Sequence, residues 1–482
     1  MNTSPTVEDL EFVNDFGGEE HKRHLLRLER TAKIDEQIKY LNKGEFDLLE
    51  IQDLFGLRPK SIIIKRNTLR VQQFMQEKIL YRQDGIRAPS WSELMFDLVF
   101  VSVFRQLGRI IESNPSIEQL QQYILLFALL WISWGNATFA INMFVKTDVF
   151  ERFFLIFMGA IVLGMGMNSS SEDGSLFLKY FLVGRALTVF CKLPFLVHEP
   201  DYRVYFIINI LFSIIPCIFL ILAIALVDYY QNMIVTFVFF ELLMYSVFNV
   251  FIKFVVRMKK VPAISVIHAK NRIGLLTIVV LGEITFSLLI DSTSINAFYI
   301  GMCGLVVASR IQYIYFKTES EGKGIELVRG ENRLYAPIWF FLHLPLHCFI
   351  ALSGASLAII VHDTARIDEP DRAFFKKDPK TQDTLEHDFE FAKTLYFACL
   401  SLIMINLAVM SVIQKKICKS KDMDWKPIIG CVVLFIVFGS LAITSVYISM
   451  SVAIVSGISA LLMTLLSAME EWREAKGLWK SK

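Results

Sequence analysis

The chain has 482 residues, 54% of them hydrophobic, with 41 Phe and a formal net charge of +2. Its mean hydropathy of +0.48 is above the range of soluble globular proteins. A soluble enzyme and a basic nucleic-acid binder are both excluded by that balance, and what charge there is informs through its distribution.

Residues 1–88 hold no apolar run long enough to span a bilayer, so the chain reads as an all-α, polytopic transmembrane helical bundle with a soluble N-terminal extension. The first residues lack the basic, apolar and small-residue segments of a secretory signal. The first spanning helix is therefore expected to direct insertion and to leave the N-terminus in the cytoplasm. The extension divides by charge. Residues 1–56 carry 13 acidic and 7 basic side chains, whereas 57–88 carry 8 basic residues against Glu77 and Asp84. Leu25, Leu28, Ile34, Ile38 and Leu41 recur at helical spacing, which predicts a short amphipathic helix over 19–41. The basic half is placed to meet anionic lipid head groups, at about 1 kcal/mol per charge near the surface, or to serve only as a positive flank. "NKGEFDLLEIQDLFG" (42–56) lacks the alternating Asp/Asn ligands of a calcium loop.

A bilayer core about 30 Å thick needs about 20 apolar residues per helix. On that measure there are twelve expected spans: 92–111, 121–141, 151–168, 176–196, 204–226, 232–254, 272–290, 296–316, 335–361, 391–413, 427–446 and 450–469. With the N-terminus inside, the inner loops hold 19 Lys and Arg. Five of the six outer loops hold none, and the sixth, the long loop 362–390, holds five. This asymmetry predicts an N-in/C-in topology with a tail at 473–482. Two six-helix halves, 91–262 and 268–472, would follow. Asn168-Ser169-Ser170 is a glycosylation sequon in an expected outer loop.

Ionisable groups inside a membrane are expensive and usually mark function. Counting from the inner helix ends at 1.5 Å per residue places Asp97, Arg310, His343 and Asn136 at one depth. Glu283, Arg185 and Glu241 lie deeper, near the midplane. These are the candidate polar stations, with Arg185 and Arg310 as counter-charges. The alternative role, pinning helices together, would contribute about 0.6 to 2 kcal/mol per contact. Glu93 sits near the inner headgroup level, where "SWSE" matches a capping box with Ser90. In "HLPLH" (343–347), Pro345 and the lack of an acidic partner speak against a metal pair. Trp131 and Trp134 read as packing residues. Glycines in "MGAIVLGMG" (158–166) read as points of close helix approach, and the seven scattered cysteines as buried hydrophobes. No phosphate loop, dinucleotide fingerprint, nucleophile elbow or HExxH appears. No catalytic residue, metal or cofactor is expected.

"RAPSWSELMFDLVFVSVFRQLG" (87–108), "NRIGLLTIVVLGEI" (271–284) and "HLPL" (343–346) resemble, in order and spacing, the recurring segments of the bacterial low temperature requirement A family. The resemblance covers 87–361 most clearly and implies an integral membrane protein in which Glu93, Asp97, Glu283 and His343 carry emphasis. Residues 1–86 extend beyond the compact bacterial form. Arg105 and Arg109 add charge to the first helix, and His347 replaces an expected apolar residue.

The expected function is transport or conduction of a small ion or solute through a plasma membrane or endomembrane, by a monomer or homo-oligomer in the lipid bilayer. The alternatives are a non-catalytic sensor or scaffold acting through the acidic extension, and a membrane enzyme using Asp97 and His343 as an acid–base pair, with Arg310 holding a lipid head group.

Overall fold

The computed structural model describes residues 49–50, 61–63, 73–76, 79–82, 89–143, 148–170, 174–252, 260–262, 265–286, 294–321, 335–368, 379–417 and 426–447, with short pieces at 256, 289, 457 and 460–464. The amphipathic stretch 19–41 and the tail lie outside the described residues, as does Cys418. The other six cysteines are buried and form no disulfide with one another.

The first helix, α1, runs Trp91–Ser113. It begins there because Pro89 and Ser90 set an extended N-cap and the expected capping box forms. Ser90 Oγ accepts from Glu93 N at 3.3 Å, and Glu93 Oε1 accepts from Ser90 N at 3.1 Å. Trp91, Met95 and Leu98 are exposed on one face, while Phe96, Phe100, Phe104 and Leu107 are buried on the other. The helices that follow are α2 (Ile117–Met143), α3 (Asp148–Met167), α4 (Ser175–Phe190), α5 (Leu193–His198), α6 (Arg203–Ile214), α7 (Cys217–Ala225) and α8 (Tyr230–Phe251). After these come α9 (Val266–Phe286), α10 (Ile295–Glu321), α11 (Tyr335–Phe341), α12 (His343–Asp368), α13 (Pro379–Ile417) and α14 (Lys426–Tyr447).

Helices therefore occupy eleven of the twelve expected segments, and the twelfth lies largely outside the described residues. Among the described residues, seven helices are long and apolar enough to cross a membrane. Helices α1 and α9 fall outside that set because their interiors carry Glu93, Asp97 and Arg105, and Lys270, Arg272 and Glu283. The polarity is inverted relative to a soluble bundle: Phe153, Ile156 and Phe157 on α3 and Val204, Ile207 and Leu211 on α6 are exposed, whereas Glu93, Asp97, Arg185, Glu241, Arg272 and Glu283 are buried.

The chain also forms a small sheet that its sequence pattern did not announce. Strands β1 (Leu49–Glu50), β2 (Ser61–Ile63), β3 (Gln73–Gln76), β4 (Ile79–Arg82) and β5 (Lys260–Pro262) lie in the order β1-β2-β4-β3-β5. Strands β3 and β4 pair as a hairpin, and β3 pairs antiparallel with β5, Phe74 opposite Pro262. Four of the strands come from the extension and the fifth from the segment between α8 and α9. Runs of two to four residues are too short to show a period of two.

Helices α1, α9 and α12 run parallel and in register. Glu93 meets His268 and Asp97 meets Arg272, each 175 positions apart, and Gly108 lies beside Glu283, again 175 apart. Thr277 meets His347, and Gly354 packs on Glu283 and Ile284. Helix α2 runs the other way: Asn142 meets His268, Trp134 meets Asp97 and Trp131 meets His347. Glycine permits the closest approaches, as expected for "MGAIVLGMG": a Cβ on Gly164 would strike Tyr180 of α4.

At Gly354 a Cβ would stand 3.0 Å from the Glu283 carbonyl carbon and the Ile284 nitrogen, backbone atoms that cannot rotate aside. Gly354→Ala is expected to destabilise the protein by about 1–3 kcal/mol. At Gly282 nothing lies within 4 Å of the added atom, so Gly282→Ala is expected to leave stability unchanged. Thermal unfolding of the two variants in detergent checks the α9–α12 contact, and equal midpoints would contradict it.

Candidate functional site

A carboxylate placed between apolar helices must be met by donors or a cation, because desolvation is otherwise uncompensated. Glu93 and Asp97, one turn apart on α1, both point into the bundle, and one guanidinium answers both. Arg272 Nη1 lies 3.3 Å from Glu93 Oε2, and Nη2 donates to Asp97 Oδ1 at 2.8 Å. All three are wholly buried. Trp134 Nε1 donates to the same Asp97 oxygen at 2.8 Å, and its ring lies under the guanidinium at 5.9 Å. Glu93 therefore does two things: Oε1 closes the helix cap while Oε2 joins the cluster.

His268 completes this end, with Nε2 2.9 Å from Glu93 Oε2. Its tautomer follows from Asn142, whose amide clasps the Ser265 backbone. Oδ1 accepts from Ser265 N at 2.7 Å, and Nδ2 donates to Ser265 O at 2.9 Å. The amide cannot be reversed without breaking both bonds, so the Nδ2 group 3.2 Å from His268 Nδ1 is a donor. Nδ1 must accept, Nε2 carries the hydrogen towards Glu93, and the imidazole is neutral.

Further along the same helices, Trp131 Nε1 donates to His347 Nδ1 at 3.1 Å, which leaves His347 Nε2–H for Thr277 Oγ1 at 2.8 Å. His343 sits beside it, ring to ring at 5.6 Å. Its Nδ1–H donates to Trp339 O at 2.9 Å, and Nε2 accepts from Tyr315 OH at 3.0 Å. Each histidine thus spends both ring nitrogens on protein partners, and Pro345 falls in the first turn of α12, where no N–H is needed. Tyr123 follows, its buried hydroxyl without a hydrogen-bond partner among the described residues and within electrostatic reach of Cys348 and Glu283. At the far end Arg105 pairs with Glu112 and lies 3.3 Å from Glu283 Oε1. From His268 to Glu283 the polar groups climb fifteen positions of α9, about 22 Å at the α-helical rise.

A second cluster lies between α2, α4, α6 and α8. Arg185 pairs with Glu241, with its guanidinium 5.7 Å from the Phe181 ring. Tyr245 donates to Asn136 Oδ1, and Lys192 Nζ donates to Asn209 Oδ1 at 2.7 Å.

The expected depth layers need correction. Asp97 takes its partners from Arg272 and Trp134, not from Arg310 or His343. Helix α10 continues to Glu321, so Arg310 lies eleven residues from its end instead of six. Glu283 does not join Glu241 and Arg185: it lies beside Arg105. Helix α9 begins at Val266, six residues before the expected start, which carries Glu283 to within three residues of its far end. Arg185 and Glu241 do meet, and Asn136, expected in the layer of Asp97, is bonded instead to Tyr245, one turn beyond Glu241 on α8. Asn168 ends α3 with its side-chain amide bonded to Gly164 O at 2.8 Å, a bond that glycosylation would have to replace. Sequence reading missed Arg272, His268, Asn142 and Thr277. The available signal was the i, i+4 spacing of His268 and Arg272, one face of a helix that could start earlier.

Fold and site together define an integral membrane protein of apolar helices with a column of charged and polar side chains in its interior. The chain belongs to the family described as bacterial low temperature requirement A protein, whose model matches residues 88–468 and leaves out the extension. No curated protein matches the chain, and no solved structure does.

Removing Arg272 would leave two buried carboxylates without their cation. Arg272→Met is expected to cost about 3–5 kcal/mol, the usual penalty for orphaning a buried charge. Adding Asp97→Asn to that variant should recover about 1 kcal/mol or more, measured by denaturation of the purified variants in a double-mutant cycle. Additive effects would mean that the two residues are not coupled.

Proposed function

We propose that the protein moves a small cation, protons included, across the membrane along the column between α1, α2, α9 and α12. The observation that carries this reading is the charge at the two ends of the column. At one end Glu93 and Asp97 face Arg272; at the other, Glu283 and Glu112 face Arg105. Each end carries one more carboxylate than cation at formal charge, so each attracts a positive species and repels anions. Between them, Trp131, His347, Thr277 and Tyr123 supply polar atoms inside an otherwise apolar core.

The orientation that fits this reading is twelve crossings with both termini in the cytoplasm. Parallel α1 and α9, both starting at one end, support it, because the expected first and seventh spans run in the same direction. The Glu93 end then faces the cytoplasm and Glu283 the opposite side. Residues 57–88 would lie against anionic head groups beside that cytoplasmic end. Arg185 and Glu241, paired with each other, act in this reading as a structural tie between α4 and α8.

A sensor reading has one observation in its favour: the pairing of β3 with β5, which ties the extension to the segment entering α9. Deleting residues 1–86 separates the two, since a sensor loses its output whereas a transporter retains flux.

Flux of protons, Na⁺ and K⁺ in liposomes containing the purified protein tests the main reading. Asp97→Asn and Glu283→Gln should each lower flux by about tenfold or more, corresponding to about 1.4 kcal/mol in barrier height. Wild-type flux in both folded variants would refute it.

A further inference from the structure

At the end of the column where α1 and α9 begin, the wholly buried ionisable groups are Glu93, Asp97, Arg272 and His268. His268 is neutral by the hydrogen-bond argument above, so these groups sum to one negative charge. Uncompensated charge at such a place is costly. A proton cancels it and needs no cavity.

Hydrogen bonding indicates where that proton belongs. Glu93 Oε1 accepts from the Ser90 N–H, and Oε2 lies at ion-pair distance, 2.9 Å from His268 Nε2 and 3.3 Å from Arg272 Nη1, with no hydrogen bond formed to either. On Asp97, Oδ1 takes both donors, from Arg272 and Trp134, whereas Oδ2 is buried with no hydrogen-bond partner among the described residues. Donors stabilise the ionised oxygen they face, so Glu93 Oε1 and Asp97 Oδ1 are held as acceptors. Of the two other oxygens, Glu93 Oε2 stands against Arg272 and His268, whereas Asp97 Oδ2 has no such neighbour among the described residues and is the one left for a hydrogen.

Among the described residues, the groups that face Asp97 from the neighbouring helices are few. From α9, Arg272 and His268 face the site, while Lys270 is partly exposed. From α2 it is faced by Trp134. From α3, Glu151 bonds Ser90 at the helix start. From α12, His343 and His347 are both satisfied elsewhere. The Coulombic influences on Asp97 are Arg272 and Glu93.

We propose that Asp97 carries one exchangeable proton on Oδ2, taken up from the aqueous phase at the end where α1 and α9 begin, and that this proton is the species the column handles. Uptake converts the carboxylate to a carboxylic acid and breaks no heavy-atom bond. Oδ1 keeps both donors, the cluster becomes neutral, and release restores its negative charge. The second half of the proposal rests on the transport reading above; the protonation of Asp97 does not.

Infrared difference spectroscopy of the full-length protein in lipid nanodiscs, stepped between pH 5 and 9, reads the site directly. A buried carboxylic acid gives a C=O band that shifts down in D₂O. That band should disappear in Asp97→Asn and persist in Glu283→Gln and Glu241→Gln. Isotopic labelling of the aspartate side-chain carboxyl carbons in the wild-type protein separates an aspartic from a glutamic acid without a substitution, and Asp363→Asn removes the other buried aspartate among the described residues, so a poorly folding Asp97 variant does not block the test. The labelled band should move to lower frequency. Absence of any such band, or a band that ignores the label and survives Asp97→Asn, overturns the proposal. The two readings fail separately. Cation flux without the band leaves transport standing and rejects the proton site, whereas the band without flux keeps the proton site and rejects transport.

Discussion

One guanidinium set against two carboxylates governs the interior of this protein. Lysine could not take the place of Arg272, because reaching Glu93 with Nη1 and Asp97 with Nη2 requires two donors held apart in a plane. The same plane lies over the Trp134 ring, and Trp134 turns its own N–H to Asp97. The surroundings follow from that need. Ser90 must present its backbone to Glu93, His268 must present a hydrogen, and Asn142 must hold His268 in the tautomer that does so. A bundle of apolar helices can tolerate these groups because Arg272 and Trp134 both donate to Asp97 while Glu93 stands at ion-pair distance from Arg272, and the arrangement is correspondingly intolerant of rotation about any one helix axis.

Register extends this constraint over the length of the bundle. The offset between α1 and α9 is 175 at Glu93, at Asp97 and at Gly108. Gly354 seats the α9 backbone against α12, with room for no side chain. Sliding α9 along α1 by one residue would therefore disturb the contacts at both ends together and drive α12 against Glu283. Helices α1, α9 and α12 are thereby coupled as one body. The helices α4 to α8 are joined to it by fewer polar ties, of which Tyr245 to Asn136 is one.

Legibility in the sequence followed where each residue sits relative to the hydrophobic boundary. Asp97 lies inside an apolar run, so its need for a partner was plain, and the Ser90–Glu93 cap was readable from spacing alone. Arg272 was not readable in the same way, since a basic residue just before an apolar run looks like a positive-inside flank. The expected span began at 272, but α9 starts at Val266, and its first turns bury His268 and Arg272 against the bundle. That error in the start displaced Glu283 by two turns and grouped it with Glu241, although its true neighbours are Arg105 and Glu112. Arg105 looked anomalous on α1 for a related reason: besides Glu112 on the same helix, its second partner, Glu283, lies 178 positions away, beyond any local pattern.

The route by which the extension can act on the column is short. Strand β3 holds β5, and β5 ends at Pro262, three residues before Ser265. Ser265 is bonded on both its N–H and its C=O by Asn142, and Asn142 fixes the His268 ring that faces Glu93. If Ser265 leaves the clasp, the amide is free to turn its oxygen to His268, which reverses the ring's hydrogen-bonding demand and removes the hydrogen facing Glu93. The start of α9 and the His268 ring are thus joined through one neutral side chain, which is why Asn142 belongs to the site although it carries no charge.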